Sequence, residues 1–364
     1  MADIENIKFG DLLENALNEA LKDRGYLNIL IAGNTGVGKS TLINSIFQGN
    51  LAETGIGRPI TQEIREITKE GIPLSIFDTR GLEQGEQLNK ILKDLRYFVK
   101  ERCQDIDPTK HIHVAWVCIL EDSYRVEKGE EALVKILEDF NVPVIGVITK
   151  ARSDKGFRAE VQRILPSLIN IVRVRAIPED LDDGHILPTK GLPELVELTM
   201  QAVPKAFQRA FVAAQKVDIQ LKKEQSQKIV ALAAATAAAI GAVPIPFADA
   251  PILVTTQIGM IASITATFGL SIDQSFFSSI LASVITAAGA TLSGKAIVAE
   301  LFKYFPVVGT FVGGMICSVT ATGLTTAFGT AYIEVLTILF ISNNGEPPTQ
   351  EEILKEFKKK LTEN

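Results

Sequence analysis

The chain has 364 residues and a formal net charge of -6, enough length for two domains with separate cores and too acidic a balance for a nucleic-acid partner, which selects basic patches. Cys103, Cys118 and Cys317 are few and far apart, which excludes a disulfide framework and suits a reducing compartment. The N-terminus, with Asp3, Glu5 and Asp11, lacks the basic-then-apolar layout of a signal peptide, so a cytoplasmic protein is expected.

Phe9 to Arg24 predicts an amphipathic helix, with Leu12, Leu13, Ala16, Leu17 and Leu21 on one stripe. Leu27 to Ala32 is an apolar, partly β-branched run and predicts a buried strand. It leads into Gly33-Asn34-Thr35-Gly36-Val37-Gly38-Lys39-Ser40, which fits G-x-x-x-x-G-K-[ST]. Thr41 to Phe47 continues as a helix with Leu42, Ile43, Ile46 and Phe47 on one face. A strand, a glycine turn and a helix start make an anion site, because backbone N–H groups converge there and the helix dipole favours negative charge. Lys39 is expected at the β- and γ-phosphates and the Ser40 hydroxyl at Mg²⁺.

Further along, Arg58 to Ile64 contains Thr61, a residue able to close on Mg²⁺ when a γ-phosphate is present. Leu74 to Phe77 predicts a short strand that delivers Asp78-Thr79-Arg80-Gly81. Asp78 can hold Mg²⁺ through water, and Gly81 can offer its N–H to the γ-phosphate. Leu88 to Lys100 predicts a helix. His111 and His113 alternate into the strand Val114 to Leu120; with His185 they make no zinc spacing, so a strand-face role is preferred. Lys128 to Phe140 predicts a crossover helix. Val142 to Ile148 predicts a buried strand ending in Thr149-Lys150, where the Lys150 stem can pack on a purine. Taken singly, each of these polar residues is as well explained by a solvated loop. Their order decides, because open α/β sheets bind ligands at the C-terminal ends of their strands; Thr61 lacks such a strand and is the weakest of the set. Ala159 to Ile169 and Glu194 to Ala202 predict the remaining helices of this part, and Pro204 opens another running to about Leu221.

After Lys222-Lys223-Glu224 the composition changes. Residues 229–248, 250–272, 274–294 and 304–333 carry no charge and are rich in alanine, glycine, serine and threonine. Thr265-Ala266-Thr267-Phe268-Gly269 is echoed by Thr325-Thr326-Ala327-Phe328-Gly329, which suggests two helical hairpins. The runs reach the roughly 20 apolar residues a membrane span needs, and Gly309 and Gly313 have the spacing of close helix contact. Asp249 suits a helix cap before Ala250-Pro251 better than an intramembrane acid.

The series Gly33 to Ser40, Thr61, Asp78 to Gly81 and Thr149-Lys150 resembles the motifs of the Era-like, septin and immunity-related GTPases. The resemblance runs from about Leu27 to Val203. It implies that Asp-x-x-Gly binds Mg²⁺ and γ-phosphate, that Asn/Thr-Lys-x-Asp reads guanine, and that Val174-Arg175-Ala176 stands in for the fifth motif. The apolar tail resembles a hydrophobic domain of unknown function fused to Era-like GTPases in bacteria. Three departures matter. Leu82 follows Gly81, where Ras-type proteins carry a water-positioning Gln; Glu83, Gln84 or a second subunit would then have to serve. Gly36 stands where potassium-dependent members carry Asn, so potassium activation is not expected. Arg152 occupies the guanine-reading Asp position, and Asp154 comes two residues late. Either the loop bulges to bring Asp154 to the base, or guanine selectivity is weakened.

The expected architecture is an α/β P-loop GTPase domain, a mostly parallel sheet flanked by helices, followed by an all-α hydrophobic domain. The segments are 1–25 as a leading helix, 26–203 as the GTPase domain, 204–228 as a connecting helix, 229–342 as two hairpins and 343–364 as a polar helix. The phosphate set is Asn34 to Thr41, the base set Thr149, Lys150, Asp154, Arg175 and Ala176, and the Mg²⁺ set Ser40, Thr61 and Asp78, with Lys39, Thr61 and Gly81 catalytic. The expected function is hydrolysis of GTP to GDP as a switch, with the tail meeting the cytoplasmic face of a membrane and with a homodimer through the nucleotide face. The alternative is a soluble regulatory GTPase whose tail is a packed bundle or partner-binding module. A P-loop kinase or metabolic ATPase would leave Asp78-x-x-Gly81 and Thr149-Lys150 as coincidences.

Overall fold

A computed structural model describes residues 9–54, 56–60, 64–79, 88–182, 184–241, 249–270, 276, 279–280 and 318–362. The chain divides into two compact units, one of residues 25–218 and the other of residues 1–24 with 219–364.

The first unit is built on a seven-stranded sheet in the order β2-β3-β4-β1-β5-β6-β7. β1 (Leu27–Gly33), β4 (Leu74–Thr79), β5 (Val114–Leu120), β6 (Val144–Thr149) and β7 (Asn170–Val174) are parallel. β2 (Ile56–Pro59) and β3 (Ile64–Thr68) add an antiparallel edge. β1 and β6 are buried at every position, which explains why their sequences are apolar apart from Asn28 and the terminal Thr149, since strands covered on both faces have no polar side to alternate with. On one face α4 (Leu88–Cys103), α5 (Lys128–Asp139) and α6 (Phe157–Ile164) press Leu95, Leu133 and Val161 against Leu30, Val117 and Ile148. On the other, Trp116 stacks on Phe47 at 5.7 Å between ring centres and donates to Thr199 Oγ1 at 3.1 Å, which belongs to α7 (Leu192–Ala202).

Register decides what meets at the C-terminal edge. Ile31 pairs with Asp78, Gly33 with Cys118, Leu120 with Thr149, and Thr149 with Val174. The ends of five parallel strands therefore lie side by side, with β1 between β4 and β5.

The helix expected from Pro204 to about Leu221 is broken. A 3₁₀ turn over Lys205–Phe207 leads into α8 (Gln208–Ala214), and the chain then extends. Gln215 forms an isolated bridge with Phe47, Gln48 N donates to Ala214 O, and Lys216 N donates to Ile46 O. These backbone bonds take the groups a continuing helix would use. His111 and His113 likewise precede β5. His113 Nδ1 accepts from Asn28 N and its Nε2 meets Pro108 O at 3.0 Å, so the ring ties the segment before β5 to β1.

In the second unit α1 (Phe9–Arg24) packs against α10 (Asp249–Phe268), and α9 (Ile219–Gly241) packs along α11 (Ser318–Ser342), with α12 (Gln350–Thr362) against α11. Ala16 and Leu17 of α1 share one core with Ile261, Ile264, Tyr332, Phe340 and Phe357. The two halves of the sequence echo occupy equivalent roles. Thr265 Oγ1 bonds Tyr332 OH at 2.9 Å, and Gln257 Nε2 donates to Thr325 Oγ1 at 3.2 Å, both buried. A Cβ on Gly329 would come within 2.6 Å of Val230 and 2.9 Å of Met260 Sδ, so α11 approaches its neighbours more closely than a larger residue allows. α10 begins at Asp249. Gly309, Gly313 and the prolines Pro244, Pro246 and Pro306 lie outside the described residues.

Candidate functional site

β1 ends in a loop whose shape depends on glycine. A Cβ on Gly33 would strike the Cys118 carbonyl of β5, and Gly38 enters α2 (Lys39–Ile46) at φ 103°, a left-handed conformation that glycine adopts without strain. The carbonyl of Gly38 accepts the first helical bond from Leu42 N at 2.9 Å. The first turn of α2 carries no acidic residue, so the partial positive charge of the helix start is left unneutralised. Lys39 Nζ donates to Gly33 O at 2.8 Å and Asn34 O at 3.2 Å, which folds its ammonium back across the loop. Thr35, Gly36 and Ser40 are exposed, while Val37 is buried.

Asp78 arrives beside this loop because β4 pairs with β1. Its Oδ1 is buried and has no hydrogen-bond partner among the described residues, and the same holds for Asn34 Oδ1 and Thr79 Oγ1. Burial pushes the Asp78 carboxyl above its ordinary range, while the positive charges of Lys39 and Arg65 pull it down. A buried carboxylate oxygen without a donor is costly unless something else satisfies it, and the Ser40 hydroxyl with the Asp78 carboxylate is a hard-oxygen donor set that fits Mg²⁺. Among the described residues no group of three or more His, Cys, Asp or Glu could hold a metal alone. That agrees with Mg²⁺, which keeps waters and uses one or two protein ligands with substrate phosphates. Thr61, Arg80, Gly81 and Leu82 lie outside the described residues.

Past the loop is a cavity of about 380 Å³ lined by Val37, Gly38, Thr41 and Leu42 on one side and by Thr149, Lys150, Arg175, Ala176 and Ile177 on the other. That size suits a small ligand. Lys150 holds φ at 51°, a conformation costly for a residue with a Cβ. The flanking chain pins it: Ala151 N donates to Val174 O at 3.1 Å, and Arg175 Nη2 donates to Ala151 O at 2.5 Å. Arg175 Nη1 also reaches Pro188 O at 2.6 Å, so this side chain is a brace between loops. Ser45 of α2 donates to Ala176 O at 3.0 Å and ties α2 to the loop after β7.

Asp154 is not among the residues that line the cavity. Its Oδ1 accepts from Arg158 N at 2.9 Å at the start of α6 and lies 3.7 Å from Arg173. The fully buried carboxylate that organises this corner is Glu121, which motif spacing did not single out. It accepts from the backbone amides of Arg152 and Ser153, the latter at 2.8 Å, and from Arg173 Nε at 2.6 Å. Burial pushes its carboxyl up, but Arg173 and the two amides outweigh this and hold it below the ordinary range. The only hint in the sequence is an acid directly after a buried strand.

A strand, a glycine loop and a helix start, with an aspartate on the next strand and a cavity beyond, define a P-loop nucleotide-binding protein. Residues 28–150 match the family described as 50S ribosome-binding GTPase, and residues 208–363 match a domain of unknown function, DUF697. The GTPase match lies within the first unit, over the strand, glycine loop and helix start described above, and the DUF697 match takes in most of the second. The chain's relatives include translocase of chloroplast 90 from Arabidopsis thaliana, 33% identical over 29% of this chain and 15% of that protein. Septin-14 of Mus musculus is 34% identical over 20% of this chain and 18% of its own length. Among solved structures, the G domain of the T. maritima FeoB iron transporter is 24% identical, covers 49% of this chain and 98% of that one, and gives a TM-score of 0.32. The chain spans less than a fifth of the length of the first curated relatives it matches.

Proposed function

We propose that the first unit binds GTP with Mg²⁺ and hydrolyses it to GDP and phosphate by in-line attack of water, as a switch. The observation that carries this is the pairing of the Lys39 ammonium, held over the loop, with the unpartnered Asp78 Oδ1 on the adjacent strand. Lys39 would exchange its two carbonyl partners for phosphate oxygens, and the loop amides would take the remaining oxygens. Ser40, Asp78 and Thr61 would hold Mg²⁺, which when bound neutralises charge on the β- and γ-phosphates. The Gly81 N–H would meet the γ-phosphate, and Thr149, Lys150, Arg175 and Ala176 would surround the base. Positioning and electrostatics supply most of such catalysis. The test is equilibrium binding of fluorescently labelled GTP. Chelation of Mg²⁺, or Ser40→Ala, is expected to weaken binding at least about tenfold, the loss of one charge-assisted contact. Equal affinity with and without Mg²⁺ would sink the assignment.

A second proposal concerns the tail. We propose that it associates with membrane, an idea supported by α11: its Thr325–Ser342 window has mean hydropathy 1.4 and is 44% buried. Ile338 and Ile341 of that window are exposed. Full-length protein is expected to float with liposomes, while residues 25–218 alone stay behind. A full chain that remains soluble and monodisperse without detergent would make the tail a packed helical bundle instead.

A further inference from the structure

The base side of the cavity has an inverted charge. Where the resembled motif places an acid, this chain has Arg152, and the acid sits opposite. Arg152 Nε donates to Glu179 Oε1 at 2.9 Å and Oε2 at 3.0 Å, its Nη2 also meets Oε1, and its Nη1 lies 3.5 Å from Asp122 Oδ2. Arg152, Glu179 and Asp122 all line the cavity, and Asp154 does not.

We infer that Glu179 reads the purine and that Arg152 is the positioning residue that turns its carboxylate toward the base. This rests on the proposal that the site binds GTP. Guanine presents two adjacent donors, N1–H and the 2-amino group, and a carboxylate offers two acceptors; adenine presents an acceptor at N1 and is repelled. A carboxylate has about four lone-pair sites, and Arg152 uses three of them, so Glu179 takes both guanine donors when the Arg152 fork gives up one of its contacts. Both partners are anchored from behind. Glu179 opens β8 (Glu179–Asp180), which pairs with β9 (Ile186–Leu187). The Arg152 backbone is held by the buried Glu121. The hydrogen bond from Arg152 keeps the Glu179 carboxyl below its ordinary range, so it is an anion at neutral pH. The chain has thus moved the acid from the fourth motif to the loop after the fifth, and Arg152 carries the orientation that the motif position once supplied directly.

The experiment is competition binding of GTP, xanthosine triphosphate and ATP to the full-length chain with Mg²⁺. Glu179→Gln is expected to lower the GTP-over-xanthosine-triphosphate ratio at least about tenfold, because an amide can donate to the xanthine 2-oxo group. A purely structural loss would weaken both nucleotides and leave the ratio alone. Arg152→Asp combined with Glu179→Gln is expected to restore the GTP preference by returning an acid to the motif position. If wild type binds GTP and Glu179→Gln keeps the wild-type ratio, the Glu179 assignment falls while the GTP site stands. If Asp154→Ala shifts the ratio and Glu179→Gln does not, Asp154 reads the base and the assignment also falls. If wild type binds no GTP at all, the site proposal fails first and takes this one with it.

Discussion

Lys39→Ala is expected to lower GTP affinity by about 10²-fold or more while leaving the first unit folded. The size follows from removing a charge that on the proposed assignment would sit against phosphate, where truncating one member of such a pair costs about 2–5 kcal/mol. The fold should survive because, among the described residues, the side chain bonds two loop carbonyls, Gly33 O and Asn34 O, and nothing in the sheet core. Both carbonyls can turn to water. The effect should exceed that of Ser40→Ala, since on the proposed assignment the ammonium would contact phosphate directly and the hydroxyl would act through Mg²⁺. Calorimetry of GTP binding, with a thermal melt of the variant beside wild type, checks both halves. Wild-type affinity in a folded Lys39→Ala protein would remove the phosphate site from Gly33 to Thr41.

The strand, glycine loop and helix start proposed to hold phosphate were legible in the sequence because their physics is local. A glycine loop between a strand and a helix creates its own anion pocket, so eight consecutive residues from Gly33 to Ser40 suffice. Asp78 was legible for a similar reason: a strand end delivers it, and pairing with β1 does the rest. The base side was not. Glu121 and Arg173 are 52 residues apart and meet only because β5, β6 and β7 lie in register. Glu179 and Arg152 are 27 apart and belong to two loops. Asp154 comes two places late in its motif, and the sequence did not show that its carboxylate bonds the start of α6. The break at Gln215 was equally invisible, since a backbone bridge to Phe47 outweighs helix propensity there. In the tail the uncharged runs had two explanations from the start. Thr265, Gln257 and Gly329 show how such runs pack against one another in the described helices, through buried polar pairs and close backbone approach.

GTP hydrolysis by the dilute monomer is expected to be slow, and to rise by about 10³–10⁵ when a second molecule or partner completes the site. On the proposed assignment the cis machinery covers binding and charge: Lys39, the loop amides and the Mg²⁺ ligands all act on the phosphates. What it lacks is a group on the water. Leu82 follows Gly81, and its side chain has no polar atom to orient a nucleophile or take its proton. The missing polar group must then come from Glu83, from Gln84 or from across an interface at the nucleotide face. If it comes from a second copy, the rate per molecule at saturating GTP rises with protein concentration and levels off when the dimer is full. If Glu83 or Gln84 supplies it in cis, the rate is flat in concentration, and Glu83→Ala or Gln84→Ala abolishes it. Replacing potassium with sodium should leave either rate unchanged, because Gly36 offers no side-chain oxygen for a monovalent ion. Phosphate release measured across a hundredfold range of protein concentration separates these outcomes. A fast, concentration-independent rate in dilute monomer that survives both substitutions would show that water is oriented by some other group, and the need for a group in trans would be gone.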